Sequence, residues 1–146
     1  MSPIRSQQKL IGIALLMVCF VVADVHSEVV VVVAAETPIS KLSKSQVAKI
    51  FLGKSRRFPD GSRALPINQN EGNADRDNFY RRVSGKSPSQ VKAHWSKLIF
   101  TGRGQPPKEA ADSDAVKYQL IHNGVNIGYI DRAEVDDSVK IVAIKK

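Results

Sequence analysis

The sequence predicts an α/β fold in which a mixed, mostly parallel β-sheet is flanked by helices. EVVVVVAA, at residues 28–35, is a β-branched run without alternation, which is typical of a strand covered on both faces. We expect it to be the central strand of a parallel sheet. Amphipathic helical segments follow, and NIGYID and VKIVAI read as two closing strands. Strands alternating with helices favour a sheet layered between helices.

The beginning of the chain has the layout of a secretory signal peptide. Arg5 and Lys9 precede an apolar run at residues 10–23, which is short for a membrane span of roughly 20 residues. We expect cleavage after Ser27, with Val25 and Ser27 as the small residues before the cut. An uncleaved membrane anchor is the alternative.

These signals set the predicted domain boundaries. Residues 1–27 are the signal peptide, and residues 28–146 form one compact domain that is periplasmic or secreted, without a stable membrane span after cleavage. Cys19 is a poor lipid-attachment site because Val18, rather than a small residue, precedes it. Because Cys19 is the single cysteine, the cleaved chain has neither a disulfide nor a thiol nucleophile.

The first predicted helix follows the valine-rich strand and carries start and stop signals. Ser43 and Gln46 fit a capping box, Leu42 and Val47 fit a hydrophobic staple, and Gly53 fits a helix stop. The apolar face expected to pack on the sheet consists of Val47, Ile50 and Phe51.

A turn, a strand and a second helix come next. Pro-Asp-Gly within FPDGS predicts the turn, and RALPIN predicts a short strand. Asn73 can cap the following helix, in which Phe79 and Val83 lie four residues apart and which Gly85 ends.

Two more helices complete the predicted order. Ser87, Pro88 and Gln90 give the third helix a cap, an initial proline and a box partner. Its expected buried face is Val91, Trp95, Leu98 and Ile99. After the loop TGRGQPP, Asp112 or Ser113 caps the fourth helix, which Gly124 closes. The expected buried face of that helix is Val116, Leu120 and Ile121.

Two long segments, LSKSQVAKIFLGKSRRFPDGSRALPINQNEGNADRDNFYRRV and GVNIGYID, resemble the phosphate ABC-transporter substrate-binding proteins. The resemblance runs from about Ser40 to Asp131 and identifies the chain as a short, single-lobe member with a type 2 periplasmic-binding-protein-like domain. Full-length members trap phosphate between two lobes. The resemblance therefore implies a non-enzymatic, exported solute-binding protein without a cofactor.

The family's anion loop has a counterpart at the start of the second helix. Family members show Ser-Gly-Thr there, whereas this chain has Asn73, Ala74 and Asp75, and Gln69 stands where a basic residue is expected. A helix N-terminus favours anions. The carboxylate of Asp75 stabilises the helix by about 0.3–1 kcal/mol and repels a second anion.

Two arginines complete the candidate anion site, Arg76 beside this loop and Arg103 in TGRGQPP. The planar guanidinium suits phosphate or carboxylate, and two glycines around Arg103 could let backbone N–H groups cradle an anion. The alternatives are a solvated helix face for Arg76, Arg81 and Arg82, and a plain connector for TGRGQPP. A plain N-cap is the alternative for Asn73.

Other chemistry finds little support in the sequence. We expect no catalytic residues and no metal site, because His94 and His122 lie far apart without ligand spacing. Trp95 and Tyr129 could line a pocket, although core packing accounts for both. The net charge of +8 favours acidic partners, but export argues against nucleic acid.

The function predicted from the sequence is recognition of phosphate or a related small oxyanion as an accessory to ABC-type uptake, with an envelope protein or transporter as a further partner. The alternative is a non-catalytic envelope interaction or regulatory module that kept the scaffold and lost the ligand pocket.

Overall fold

The computed structural model describes residues 28–146. The predicted signal peptide, its cleavage site and Cys19 lie outside the described residues. Within residues 28–146, none of the helices has the length and apolarity needed to cross a membrane.

Strands and helices alternate along most of the described chain. The strands are β1 (Val29–Ala34), β2 (Lys41–Ser43), β3 (Leu65–Gln69), β4 (Lys108–Ala110), β5 (Asn126–Asp131), β6 (Val139–Ile141) and β7 (Ala143–Lys145). The helices are α1 (Lys44–Phe51), α2 (Ala74–Ser84), α3 (Pro88–Phe100) and α4 (Ser113–His122), with a short 3₁₀ helix at Arg132–Glu134.

The main sheet has five strands in the order β4-β3-β5-β1-β6. β3 is parallel to β4 and to β5, whereas β1 is antiparallel to both β5 and β6. Four of the five strands therefore run in one direction, which confirms the mixed, mostly parallel sheet. β2 and β7 form a separate parallel pair.

The valine-rich strand differs from its prediction in position and direction. β1 lies next to the edge strand β6, the centre belongs to β5, and both neighbours of β1 are antiparallel to it. The physical reason is that an unbroken apolar run reports burial of both faces, which is observed here, but carries no information on the direction of the neighbouring strands.

Helices cover both faces of this sheet. Val31 and Val33 point into a core built with α1, α2 and α3, while Val30 and Val32 point into a second core built with α4. The close approach of α4 depends on Gly128 in β5, since a Cβ atom there would lie 2.6 Å from Cγ1 of Val116. The sheet is thus the middle layer of a three-layer domain.

The predicted helix signals are largely confirmed. Capping boxes form at Ser43 with Gln46 and at Ser87 with Gln90. Gly85 follows α2 in the left-handed conformation, with φ of 68°. Of the two caps weighed for α4, Asp112 is the one observed, and its side chain accepts a hydrogen bond from the Ala115 N–H.

Four predicted details are wrong. Ile99 and Ile121 are each 54 % exposed, because both lie to one side of the stripe that the other apolar residues of their helices form. Asn123, rather than Gly124, ends α4. VKIVAI divides at Val142 into β6 and β7, which belong to different sheets. β2 and β4 were not predicted because three residues carry too little pattern.

Candidate functional site

The predicted anion loop lies where β3 ends and α2 begins. The N–H of Asn70 donates to the carbonyl of Ala110 at 3.1 Å, which ties the loop to β4. The N–H of Asn73 donates to the carbonyl of Asn70 at 3.2 Å and closes a tight turn. Gly72 occupies the left-handed region in this turn, with φ of 89°, a conformation that glycine adopts without steric cost.

The first turn of α2 already uses part of its donor capacity. The side-chain oxygen of Asn73 accepts a hydrogen bond from the Asp75 N–H at 2.8 Å, which confirms Asn73 as the N-cap. Ala74 is the first helical residue and contributes no polar side chain. Asp75 and Asp77 place two carboxylates in this turn, where they stabilise the helix and disfavour a second anion.

Arg76 is the cation that the structure brings to this loop. Its Nη1 donates to the carbonyl of Gln69 at 2.9 Å and to Oε1 of Glu109 at 2.7 Å. The Arg76 side chain is only 11 % exposed, against 45 % for Glu109. The guanidinium therefore folds back over the end of β3, and the alternative of a freely solvated arginine is not what is observed here.

Glu109 is the site residue that sequence reasoning missed. It lies on β4 and is the register partner of Asn68 on β3, so sheet pairing brings it close to Arg76. The three residues of β4, Lys-Glu-Ala, show no alternation of apolar and polar residues that would predict a strand. No local sequence signal therefore pointed to this carboxylate as the partner of Arg76.

A buried polar network holds the loop from below. The Tyr129 hydroxyl accepts a hydrogen bond from the Gln69 N–H at 3.0 Å and donates to Oδ1 of Asn68. The Gln69 side-chain amide donates to the Tyr129 carbonyl at 2.9 Å, and the Asn68 amide donates to the Tyr80 hydroxyl at 3.0 Å. Buried groups satisfied in this way fix the direction in which the chain leaves β3.

The two tyrosines are neutral at physiological pH. Burial raises the pKa of Tyr80 to about 12, and it raises the pKa of Tyr129 further still. The ring of Tyr129 stacks on Phe79 with centroids 4.0 Å apart. Tyr129 therefore belongs to the core and to the loop support, in line with the packing alternative for this residue.

Arg103 does not join this site. The N–H groups of Gly102 and Arg103 donate to the carbonyls of Ile99 and Leu98 at 3.1 and 2.9 Å. Because they cap the end of α3, these two groups are unavailable to an anion in this conformation. The Arg103 side chain borders a depression that Arg56 also lines, and Arg103 does not line the cavity beside Arg76. This arrangement favours the interpretation of TGRGQPP as a plain connector.

A cavity of about 190 Å³ opens beside Arg76, between α2 and α3. Its charged lining consists of Arg76 and Lys92 with the carboxylates Glu71, Asp77 and Glu109. Arg81 and Arg82 lie in the last turn of α2, too far along the helix to contribute. Within residues 28–146, no group of three or more His, Cys, Asp or Glu side chains is placed to hold a metal ion. The arrangement is suited to binding a small polar ligand.

Comparison of the sequence with models of known protein families and with curated proteins finds no match. Comparison of the structure finds clear similarity to solved proteins. One is a phosphate ABC transporter substrate-binding protein from Clostridium perfringens with bound phosphate, at 22% identity and a TM-score of 0.62, covering 80% of this chain and 44% of that one.

Two further solved structures give the same result. An ABC-type phosphate transport receptor from Vibrio cholerae matches at 17% identity and a TM-score of 0.64, covering 81% of this chain and 47% of that one. PstS from Borrelia burgdorferi matches at 13% identity and a TM-score of 0.58, with the same coverage.

The chain thus spans less than half the length of these solved proteins. At this level of identity the likeness concerns the fold. The chain has the single-lobe, periplasmic-binding-protein-like fold of the phosphate ABC transporter substrate-binding proteins, as the sequence resemblance predicts.

Proposed function

We propose that this chain is an exported solute-binding protein that recognises phosphate or a related small oxyanion as an accessory to ABC-type uptake. The supporting observation is the position of Arg76, a largely buried guanidinium in the first turn of α2. It lies in a fold shared with a protein solved with bound phosphate.

The physical basis is the sum of two weak attractions. The start of α2 offers backbone N–H groups with a partial positive charge, and the Arg76 guanidinium can hold two oxygens at once. Asp75, Asp77 and Glu109 oppose an incoming anion. A single lobe also leaves one side of the ligand open, so we expect modest affinity unless a second copy or a partner closes the site.

Titration calorimetry of residues 28–146 with phosphate and with sulfate tests this function. We expect saturable binding that Arg76→Ala weakens by about tenfold or more, the range for a charge-assisted hydrogen bond. Arg81→Ala, a matched charge loss in the last turn of the same helix, should leave the affinity unchanged. Absence of heat at millimolar phosphate would contradict oxyanion binding.

Export has its own test. If residues 1–27 direct secretion and are removed, N-terminal sequencing of the protein recovered from the periplasm of an expressing cell should begin at Glu28. Recovery of the uncleaved chain in the membrane fraction would favour the anchor instead.

The second candidate function is an envelope interaction or regulatory module. Two observations favour it: Arg76 already has a carboxylate partner in Glu109, and Phe100 at the end of α3 is 93 % exposed. An exposed aromatic ring can anchor a protein contact. If calorimetry shows no oxyanion binding, self-association or partner binding that Phe100→Ser abolishes would support this candidate.

A further inference from the structure

A second cavity, of about 320 Å³, lies on the sheet at the other end of β3 from the anion loop. It is enclosed by the end of α1, the first half of β3, the loop at residues 104–107 and the end of α4. Its volume falls at the lower end of the range for ligand pockets, about 300–1,000 Å³. Nothing in the function proposed above uses it.

The strand pairing explains why the space is there. β4 pairs with β3 only from Ile67 onward, so β4 does not cover the edge of β3 at Leu65 and Pro66. The chain passes over this gap with Pro106 and Pro107. Proline has no N–H to donate, so this covering segment adds apolar surface there and no ladder hydrogen bonds.

Part of the cavity lining is apolar and rigidly placed. Trp95 and Ile50 line it, and both are buried in the core, 5% and 1% exposed. Gly53 faces the indole so closely that a Cβ atom would lie 2.8 Å from Cη2 of Trp95, and its φ is +75°. The cavity therefore offers the body of a ligand a fixed, apolar slot lined by an indole and two prolines, with polar side chains such as Gln119 and Asn126 elsewhere in the lining.

The charged residues at this cavity are both basic. Arg56 and Lys108 line it, and no Asp or Glu does. Among the described residues, neither forms a salt bridge, and Lys108 Nζ only donates to the side-chain oxygen of Gln119 at 3.3 Å. Glu109, the nearest carboxylate in sequence, pairs with Arg76 instead.

We propose that this cavity binds a small organic carboxylate with a compact apolar body, such as a branched aliphatic acid. The body would fill the slot beside Trp95, and Arg56 with Lys108 would hold the carboxylate at the polar rim. An arginine fork matches the two carboxylate oxygens. Inorganic phosphate fits less well, because it has no apolar body to place against the prolines and the indole and gains nothing from burying that surface.

The single tryptophan of the chain provides a local probe, since Trp95 lines the cavity. We would titrate the protein, purified after expression of the full chain, with 4-methylpentanoate and follow tryptophan emission. The expected result is a saturable change. The neutral isostere 4-methylpentanamide should bind at least about tenfold more weakly, because a charge-assisted hydrogen bond is lost.

Three variants locate the binding. Arg56→Gln should weaken the binding of 4-methylpentanoate by about tenfold or more. Arg57→Gln is the matched control, because Arg57 bonds the carbonyl of Gly61 at 2.7 Å and does not line the cavity. Arg76→Gln is a second control, because Trp95 also borders the cavity beside Arg76. Neither control should change the affinity.

The outcome separates this site from the phosphate site. Failure of phosphate binding in calorimetry leaves the carboxylate titration unaffected. The proposal is overturned if emission shows no saturable change at tens of millimolar 4-methylpentanoate. It is equally overturned if the amide binds as well as the acid, or if Arg57→Gln or Arg76→Gln weakens binding as much as Arg56→Gln.

Discussion

Arg76 and Glu109 form a salt bridge at 2.7 Å that joins the first turn of α2 to the edge strand β4. The same guanidinium nitrogen also donates to the carbonyl of Gln69. A carboxylate of the chain thus pairs with Nη1 of the guanidinium that an incoming oxyanion would need. Ligand affinity at this loop depends on how easily Glu109 gives way.

Glu109→Gln should strengthen phosphate binding by about three- to tenfold, because it removes one opposing charge from Arg76 at a partly exposed pair. Calorimetry measures the change. Glu36→Gln is the matched control, since Glu36 is exposed and does not line the cavity beside Arg76. Equal effects of the two variants would show that Glu109 does not compete with the ligand.

Asp75→Thr should also strengthen phosphate binding, because it removes a carboxylate from the first turn of α2 and adds a hydroxyl donor. Asp75→Asn separates the two contributions, since it removes the charge without adding the hydroxyl. We expect the phosphate affinity to be highest with Thr at position 75, lower with Asn, and lowest with the native Asp75. A wild-type protein that binds phosphate tightly and is unaffected by Asp75→Thr would refute the repulsion argument.

Signals in neighbouring residues predicted where this site begins, whereas pairing between distant strands determines which charged groups meet there. The cap by Asn73 and the helix with its carboxylates follow from neighbouring residues. The partner of Arg76 is 33 residues away in the chain, and the contact exists only because β4 pairs with β3. Three-residue strands leave no periodic pattern, so Glu109 could not be found from the sequence.

The fold likewise has features that the sequence predicted and features that it did not. The resemblance and the alternation of elements predicted a mixed, single-lobe α/β domain correctly, whereas the predicted direction of β1 relative to its neighbours was wrong. Gly102 and Arg103 illustrate a related limit, because their N–H groups could serve an anion or the end of α3 equally well in sequence terms. The helix carbonyls of Leu98 and Ile99 take them.

Gly128→Ala should destabilise the domain by about 1–3 kcal/mol, the usual cost of overpacking. The added methyl group would lie 2.6 Å from Cγ1 of Val116, and α4 cannot move away without opening the second core. Gly124→Ala is the control, because a Cβ atom there meets nothing within 4 Å. Urea unfolding of both variants measures the difference, and equal stabilities would refute the close packing of α4 on β5.

Tyr80 should make the domain lose stability at alkaline pH. Burial raises its pKa to about 12, against an ordinary value of about 10. Below pH 10 both states hold the proton and the full stabilisation is present. Between about pH 10 and 12 only the unfolded chain releases it, so Tyr80 contributes a fall in the free energy of unfolding of about 1.4 kcal/mol per pH unit. Tyr129 adds a decline of its own, because burial raises its pKa further.

Tyr80→Phe removes this titrating group and should make the decline shallower by about 1.4 kcal/mol per pH unit, leaving the share that Tyr129 contributes. Its cost relative to the wild type, from the lost hydrogen bond with the Asn68 amide, should be largest near neutral pH and shrink as the pH rises from 10 to 12. Tyr118→Phe, at a residue that is 60 % exposed, should keep the wild-type slope. Urea unfolding across this pH range gives the slopes. A parallel decline in wild type and Tyr80→Phe would show that Tyr80 does not hold its proton more tightly in the folded state.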